Sequence, residues 1–227
     1  MPKTLSVKTR RPELSAAEFR RHYEARHVPL ALGFRERFGW TRTARNYVVS
    51  VRAGAVGFDC FTEFWYASAA ALARTRDFAG SPEFRVLDQD DRRFLDVSRR
   101  LSFEVEERRL VGAPRGVARK GARRLAILLD RPADVPAEAF DERAAALGRR
   151  LAAEHPEAWE RVELDLRSSD APGALALAAI VSLWPRVGAA VPDAFAAFPA
   201  FPGPDAAGPC AVVELETVET PPEALAP

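Results

Sequence analysis

Leu5 and Val7 alternate with polar neighbours across residues 3–9, the period-two pattern of a half-buried strand. The next stretch, RRPELSAAEF, offers a turn at Pro12, Ser15 as an N-cap and Glu18 three residues on, a capping box. The helix it opens carries Phe19, Tyr23, His27 and Leu30 at steps of four, four and three, which is one face. Pro29 falls inside that stripe, so the pattern predicts an end or a kink close to it. Residues 40–51 and 58–66 read as strands joined by the glycine-bearing loop RAGAVG. An alanine-rich helix follows over 67–77, and Ser81-Pro82 opens a shorter helix through FRVLDQDDRRFLD. Leu101, Phe103 and Val105 alternate in a closing strand, which completes the order β-α-β-β-α-β.

Residues 108–121 interrupt the pattern with Gly, Pro and five basic residues, and read as a linker. The order then restarts: a strand at 123–130, a helix from Pro136, strands at 159–167 and 173–184, a short helix in VPDAFAAF and a strand at 210–218. Two passes of similar length predict a tandem duplication, with units over 1–107 and 122–218 and a disordered tail over 219–227. The fold class expected is α+β: two ferredoxin-like units, each a four-stranded sheet with helices on one face. Their bare faces must be buried, and a pseudo-dimeric α/β barrel does so within one chain. The assembly is then a monomeric pseudo-dimer or a homodimer of such chains.

Composition narrows the classes. With 33 basic and 32 acidic residues among 227 there is no net field to draw nucleic acid. Cys60 and Cys210 are too few and too far apart for a disulfide framework, so a reducing cytoplasm is expected. The opening MPKTLSVKTR has no signal-peptide core, and no apolar run approaches the ~20 residues of a membrane span. No GxGxxG, P-loop or GxSxG motif occurs.

Two of the three histidines, His22 and His27, lie five positions apart. On an α-helix that spacing turns the rings ~140° apart, which argues against a metal pair and puts His27 on the packed face and His22 at its exposed edge. Tyr23 and His27, one turn apart, line a cavity above the sheet or pack as core. In FDCFTEFWY, Asp59, Phe61, Glu63 and Trp65 share one face and Phe58, Cys60, Thr62 and Phe64 the other. Asp59 and Glu63 then need partners, for which Arg42 and Arg45 are at hand, or else polarise a substrate. Asn46 and Tyr47 face opposite ways, so only one of them sees a given cavity. Phe84, Leu87 and Phe94 read as core or pocket wall, the intervening Asp run as solvated, and Phe195, Phe198 and Phe201 as packing or a pocket cover.

Over residues 1–107 the chain resembles the EthD-like family of dimeric α/β-barrel proteins. The matching stretches are RRPELSAAEFRRHYEARHVPLAL, TARNYV, GFDCFTEFWY and FRVLDQDDRRFLD…SFEVEE. The resemblance implies a ferredoxin-like barrel and a small enzyme, free of metal and cofactor, acting on a hydrophobic aromatic or polyketide-like molecule. It implies acid/base chemistry leading to cyclisation, dehydration or decarboxylation, with a cofactor-free monooxygenase or a non-catalytic ligand-binding protein as alternatives. His27 would be the general acid/base, Tyr23 the oxyanion donor and Glu63 an auxiliary catalytic carboxylate. Phe19, His22, Tyr47, Asp59, Trp65 and Phe84 would bind substrate. The second half lacks both the Tyr and the His-x-Pro-Leu, so one site per chain is expected, with the second half as scaffold.

Overall fold

Alternation at Leu5 and Val7 does produce a strand, β1 (Lys3–Lys8), but it is buried along its whole length, lysines included. In the computed structural model the described residues are 1–114, 116, 121–168, 177–189, 192 and 209–225. The capping box forms as the sequence predicts. The Ser15 hydroxyl accepts the Glu18 N–H, and the Glu18 carboxylate accepts the Ser15 N–H. It opens α1 (Ala16–His22), which does not stop at Pro29. A π-helical turn over Tyr23–His27 leads directly into α2 (Val28–Leu32), where Pro29 sits in the first turn and its missing N–H costs no bond.

After the short α3 (Arg35–Phe38) come β2 (Trp40–Gly54), β3 (Cys60–Tyr66), α4 (Ala69–Ala79), α5 (Arg85–Phe94) and β4 (Leu101–Val111). The second pass has β5 (Ala122–Asp130), α6 (Ala137–Glu154), β6 (Trp159–Arg167), β7 (Leu177–Pro185) and β8 (Pro209–Glu219), and α7 (Pro222–Leu225) ends the chain. Hydrogen bonds join the eight strands in the order β1-β3-β2-β8-β5-β7-β6-β4, a closed antiparallel barrel. The short helix expected in VPDAFAAF, with Phe195, Phe198 and Phe201, lies outside the described residues.

Two boundaries differ from the sequence reading. β4 continues to Val111, so 108–111 belong to a strand: Arg108 and Arg109 pair with Leu164 and Glu163 of β6, and Arg108 is held by Glu106 at 2.7 Å. Ladder bonds and this local ion pair offset the cost of the basic run. The tail is also ordered to residue 225, because the Glu219 carboxylate meets Arg42 Nε at 2.6 Å and Thr220 donates its N–H to the Thr43 carbonyl at 3.1 Å.

The structure divides into two compact units, Met1–Asn46 with Gly57–Glu104 and Glu219–Pro227, and Tyr47–Val56 with Val105–Val218. In the first unit β1 pairs antiparallel with β3, Lys3 opposite Trp65. In the second, β5 pairs with β7 in the same manner, through Leu125 opposite Leu183. Each unit carries a tryptophan on its third strand between two cations. Lys3 Nζ and the Arg42 guanidinium lie 4.6 and 4.9 Å from the Trp65 ring, and those of Arg124 and Arg161 lie 4.9 and 4.6 Å from Trp184. The four cations come from the first and second strands of their units, so the two arrangements are topologically equivalent. The second unit's core is apolar, with Phe140, Ala144, Leu147 and Leu151 of α6 packed on Ile127, Leu164 and Val181.

The capping box holds the start of the helix that carries Tyr23 and His27. Ser15→Ala should lower the unfolding free energy by ~1 kcal/mol, read from urea or thermal unfolding, as loss of an N-cap typically does.

Candidate functional site

The π turn decides where the two histidines point. Val28 donates its N–H to the Tyr23 carbonyl, an i→i+5 bond that stacks each residue over the one five before it. His22 and His27 therefore point the same way, not ~140° apart as an α-helix requires. Both meet Asp90 of α5: His22 Nε2 lies 3.1 Å from Oδ1 and His27 Nδ1 3.0 Å from Oδ2. His22 is not an exposed edge residue. It stacks on Phe94 at 4.7 Å between centroids and its side chain is 17% exposed.

Asp90 and Asp91 overturn the reading of the Asp run as solvated. Leu87, Asp90, Asp91 and Phe94 follow the spacing of one helical face, and all four are buried. Asp91 Oδ2 accepts from Arg100 at 2.9 Å, while Oδ1 lies 3.6 Å from His27 Nε2 and accepts no hydrogen bond among the described residues. An ionised carboxylate only accepts, so the nitrogens facing Asp90 carry the protons. In its neutral form His27 then has its basic lone pair on Nε2. Burial pulls the His27 pKa below 6.5, against the opposing pull of Asp91 and Asp90.

His27 lines a cavity of about 50 Å³ in the first unit, together with Lys8, Tyr23, Thr43, Arg45, Thr62 and Thr220 on its polar side. Val28, Ala31, Leu32, Trp40 and Phe64 close the apolar side. A cavity of this size takes the reacting head of a larger molecule, since whole drug-sized ligands need several hundred Å³. The Tyr23 hydroxyl lies 2.7 Å from Thr62 Oγ1, and burial pushes its pKa well above 10, so the phenol is neutral and able to donate. Arg45 is held by both oxygens of Glu24, at 3.0 and 3.2 Å.

The remaining candidates lie apart from this cavity. Phe19 is buried beside Tyr23 and Phe94, at 6.0 and 5.7 Å between centroids, and supports the helix rather than the cavity wall. Phe84 packs edge-on against Phe78 and Phe38. Asp59 accepts the Arg10 N–H at 2.8 Å and pairs with the Arg10 guanidinium, not with Arg42 or Arg45. Glu63 is on the face of β3 opposite Thr62 and Phe64, fully buried, 2.9 Å from Lys3 Nζ and 2.9 Å from Asn46 Nδ2. Trp65 shares that face, and Tyr47 is buried in the second unit. Cys60, opposite Lys8 on the ladder, has a thiol pushed up to about 12 by burial. Sequence reasoning missed Lys8, Asp90, Asp91 and Thr62. The helical spacing 87-90-91-94 was the available signal for the aspartates.

Two measurements test this geometry. The unfolded chain takes up the His27 proton at a higher pH than the folded one, because the folded pKa is depressed. Stability from the neutral ring is complete above pH 6.5 and is lost as pH falls through the folded value. The thermal midpoint should therefore drop between roughly pH 7 and pH 5 in the wild type, and less steeply in His27→Gln. Lys3→Met leaves the Glu63 carboxylate buried without its ammonium. It should destabilise by about 3–5 kcal/mol in denaturant titration, the usual cost of halving a buried pair.

Residues 11–98 match the EthD domain. No curated protein matches the chain in sequence. Among solved structures, an ethyl tert-butyl ether degradation (EthD) family protein of Bacillus halodurans is 21% identical. The likeness covers 47% of this chain and 98% of that one, with a TM-score of 0.36. A Fusobacterium nucleatum protein proposed to be a monooxygenase is 8% identical, over 81% of this chain and 75% of that one, at 0.50. An anthrone oxidase-like protein is 12% identical, over 96% and 92%, at 0.49. The chain thus has an EthD-like, ferredoxin-like β-barrel fold, with its EthD match confined to the stretch that bears the Tyr23–His27 cavity.

Proposed function

We propose that the first unit is an enzyme acting on a hydrophobic small molecule, aromatic or polyketide-like, and that its reaction begins when His27 takes a proton from that molecule. One observation carries this: the His27–Asp90 contact at 3.0 Å, in the wall of a cavity that also presents Tyr23. Asp90 holds the Nδ1 proton, so Nε2 is the base. The proton it accepts is stabilised by the Asp91 oxygen 3.6 Å away. The neutral Tyr23 phenol donates to the substrate oxygen onto which the negative charge spreads.

The fate of that carbanion defines the reaction class, and we favour oxidation by molecular oxygen. A methylene R₂CH₂ and O₂ give R₂C=O and H₂O, with all four electrons drawn from the substrate carbon and its C–H bonds, so this scheme calls for no other reductant. The fold shared with the Fusobacterium protein supports this fate. Cyclisation, dehydration and decarboxylation start from the same anion and form the second reading. The second unit serves as scaffold. Its α6 carries neither Tyr nor His on its buried face, and the equivalent tryptophan–cation arrangements support a duplicated unit of which one copy is active.

The test is turnover of a panel of 1,3-diketones and polyphenolic ketones, followed by mass spectrometry and an oxygen electrode. His27→Gln should lower kcat by about 10²–10⁴-fold, the range of general acid–base catalysis, with its thermal midpoint above pH 7 kept near that of the wild type. Oxygen uptake should match product formation. Full anaerobic turnover would transfer the protein to the non-oxidative reading, and wild-type turnover by His27→Gln would remove His27 as the base. Saturable binding without any product would make the protein a carrier.

A further inference from the structure

Among 33 basic residues only three are lysines: Lys3, Lys8 and Lys120. Arginine serves everywhere else, and a guanidinium cannot give up its proton in a protein, whereas a buried ammonium readily does. Lys3 has a structural role in its pair with Glu63 at 2.9 Å. Lys8 has no such pair. It ends β1, is 6% exposed, and lines the same cavity as Tyr23 and His27. Among the described residues its Nζ makes a single hydrogen bond, 3.4 Å from Ser6 Oγ, and it lies 5.5 Å from the centre of the Tyr23 ring. Asp91, the carboxylate whose charge acts on Lys8, is already engaged by Arg100 at 2.9 Å. The other cavity cation, Arg45, is gripped by Glu24 through two bonds. The cavity thus holds one cation that is tied down and one amine with capacity to spare.

We propose that Lys8 captures the carbonyl carbon of a ligand in this cavity as an imine. The inference rests on the reading of the cavity as an active site and names its ligand class, a small aldehyde or ketone group at the end of a larger molecule. In the step, the Nζ lone pair adds to the carbonyl carbon and the carbonyl oxygen takes up a proton. The resulting carbinolamine loses that oxygen as water, with both hydrogens of the water coming from the amine and no change in overall oxidation state. His27 Nε2 moves the protons, and the Tyr23 hydroxyl donates to the carbonyl oxygen during addition. Burial favours the step by lowering the Lys8 pKa, against the pull of Asp91, so that more amine is neutral near neutral pH.

The experiment uses the full chain with propanal and cyanoborohydride at pH 7, which reduces any imine to a stable propyl amine, followed by peptide mass mapping. Few amines compete, since only three lysines and the amino terminus are present. Lys8 should be modified at least about tenfold faster than Lys120, as a pKa lower by a unit or more would give. Modification confined to Lys120 and the amino terminus overturns the proposal. So does wild-type turnover by Lys8→Arg, which keeps the charge but cannot form an imine. If Lys8→Arg fails to fold, the labelling of the wild type decides alone. An unlabelled Lys8 beside an inactive His27→Gln removes the imine and leaves the acid/base reading standing. A labelled Lys8 beside a fully active His27→Gln does the reverse.

Discussion

One buried carboxylate sets the terms for the whole first unit. Asp90 is 5% exposed and would be costly to bury alone, so its oxygens must be satisfied by donors held in place. The two imidazoles do this, one on each oxygen. They can do so only because the helix bearing them widens by a turn of i→i+5 bonds. Phe94, one turn further along α5, is the apolar floor on which Phe19, His22, Tyr23 and His27 rest. Solvation of Asp90, helix geometry and ring packing are therefore one constraint. It also fixes which nitrogen of His27 is basic, since an acceptor-only group dictates the protons on its neighbours.

The architecture was legible because it rests on local periodicity. Leu5 with Val7, and Leu101 with Phe103 and Val105, announce strands, and Ser15 with Glu18 announces a helix start. The repeated order of elements implies a sheet whose bare face must be covered. What periodicity conceals is the burial of polar residues. Lys8 and Ser6 look like the wet side of a half-buried strand, yet that side lies under the helix. Asp90 and Asp91 look like a charge run, although they stand at the core positions of their own helix. Glu63 and Asp59 were correctly seen to need cations, but β1 and the segment after it supply them through Lys3 and Arg10, not β2 through Arg42 and Arg45.

The angle between the histidines failed for a different reason. It assumed 100° per residue throughout, and nothing in the composition of YEARH signals a wider turn. Pro29 was the hint. A ring that would crowd the carbonyl four residues back is accommodated by a local change of helical pitch as well as by a break. The two units then show what sequence comparison by eye could not. The tryptophan sandwiches occupy equivalent strands in both, while Tyr23, His27 and their aspartates belong to the first alone.

The π turn also has a genetic meaning. An i→i+5 bond in a helix otherwise bonded i→i+4 accommodates one surplus residue, so a single codon separates the two geometries. Removing one residue between Tyr23 and His27 would restore the regular spiral, rotate everything after it, and swing His27 away from its carboxylate, with the helix itself still intact. The α6 helix of the second unit follows that regular path through all its 18 residues. A catalytic dyad and a plain packing helix can thus be neighbours in mutational space, one insertion apart.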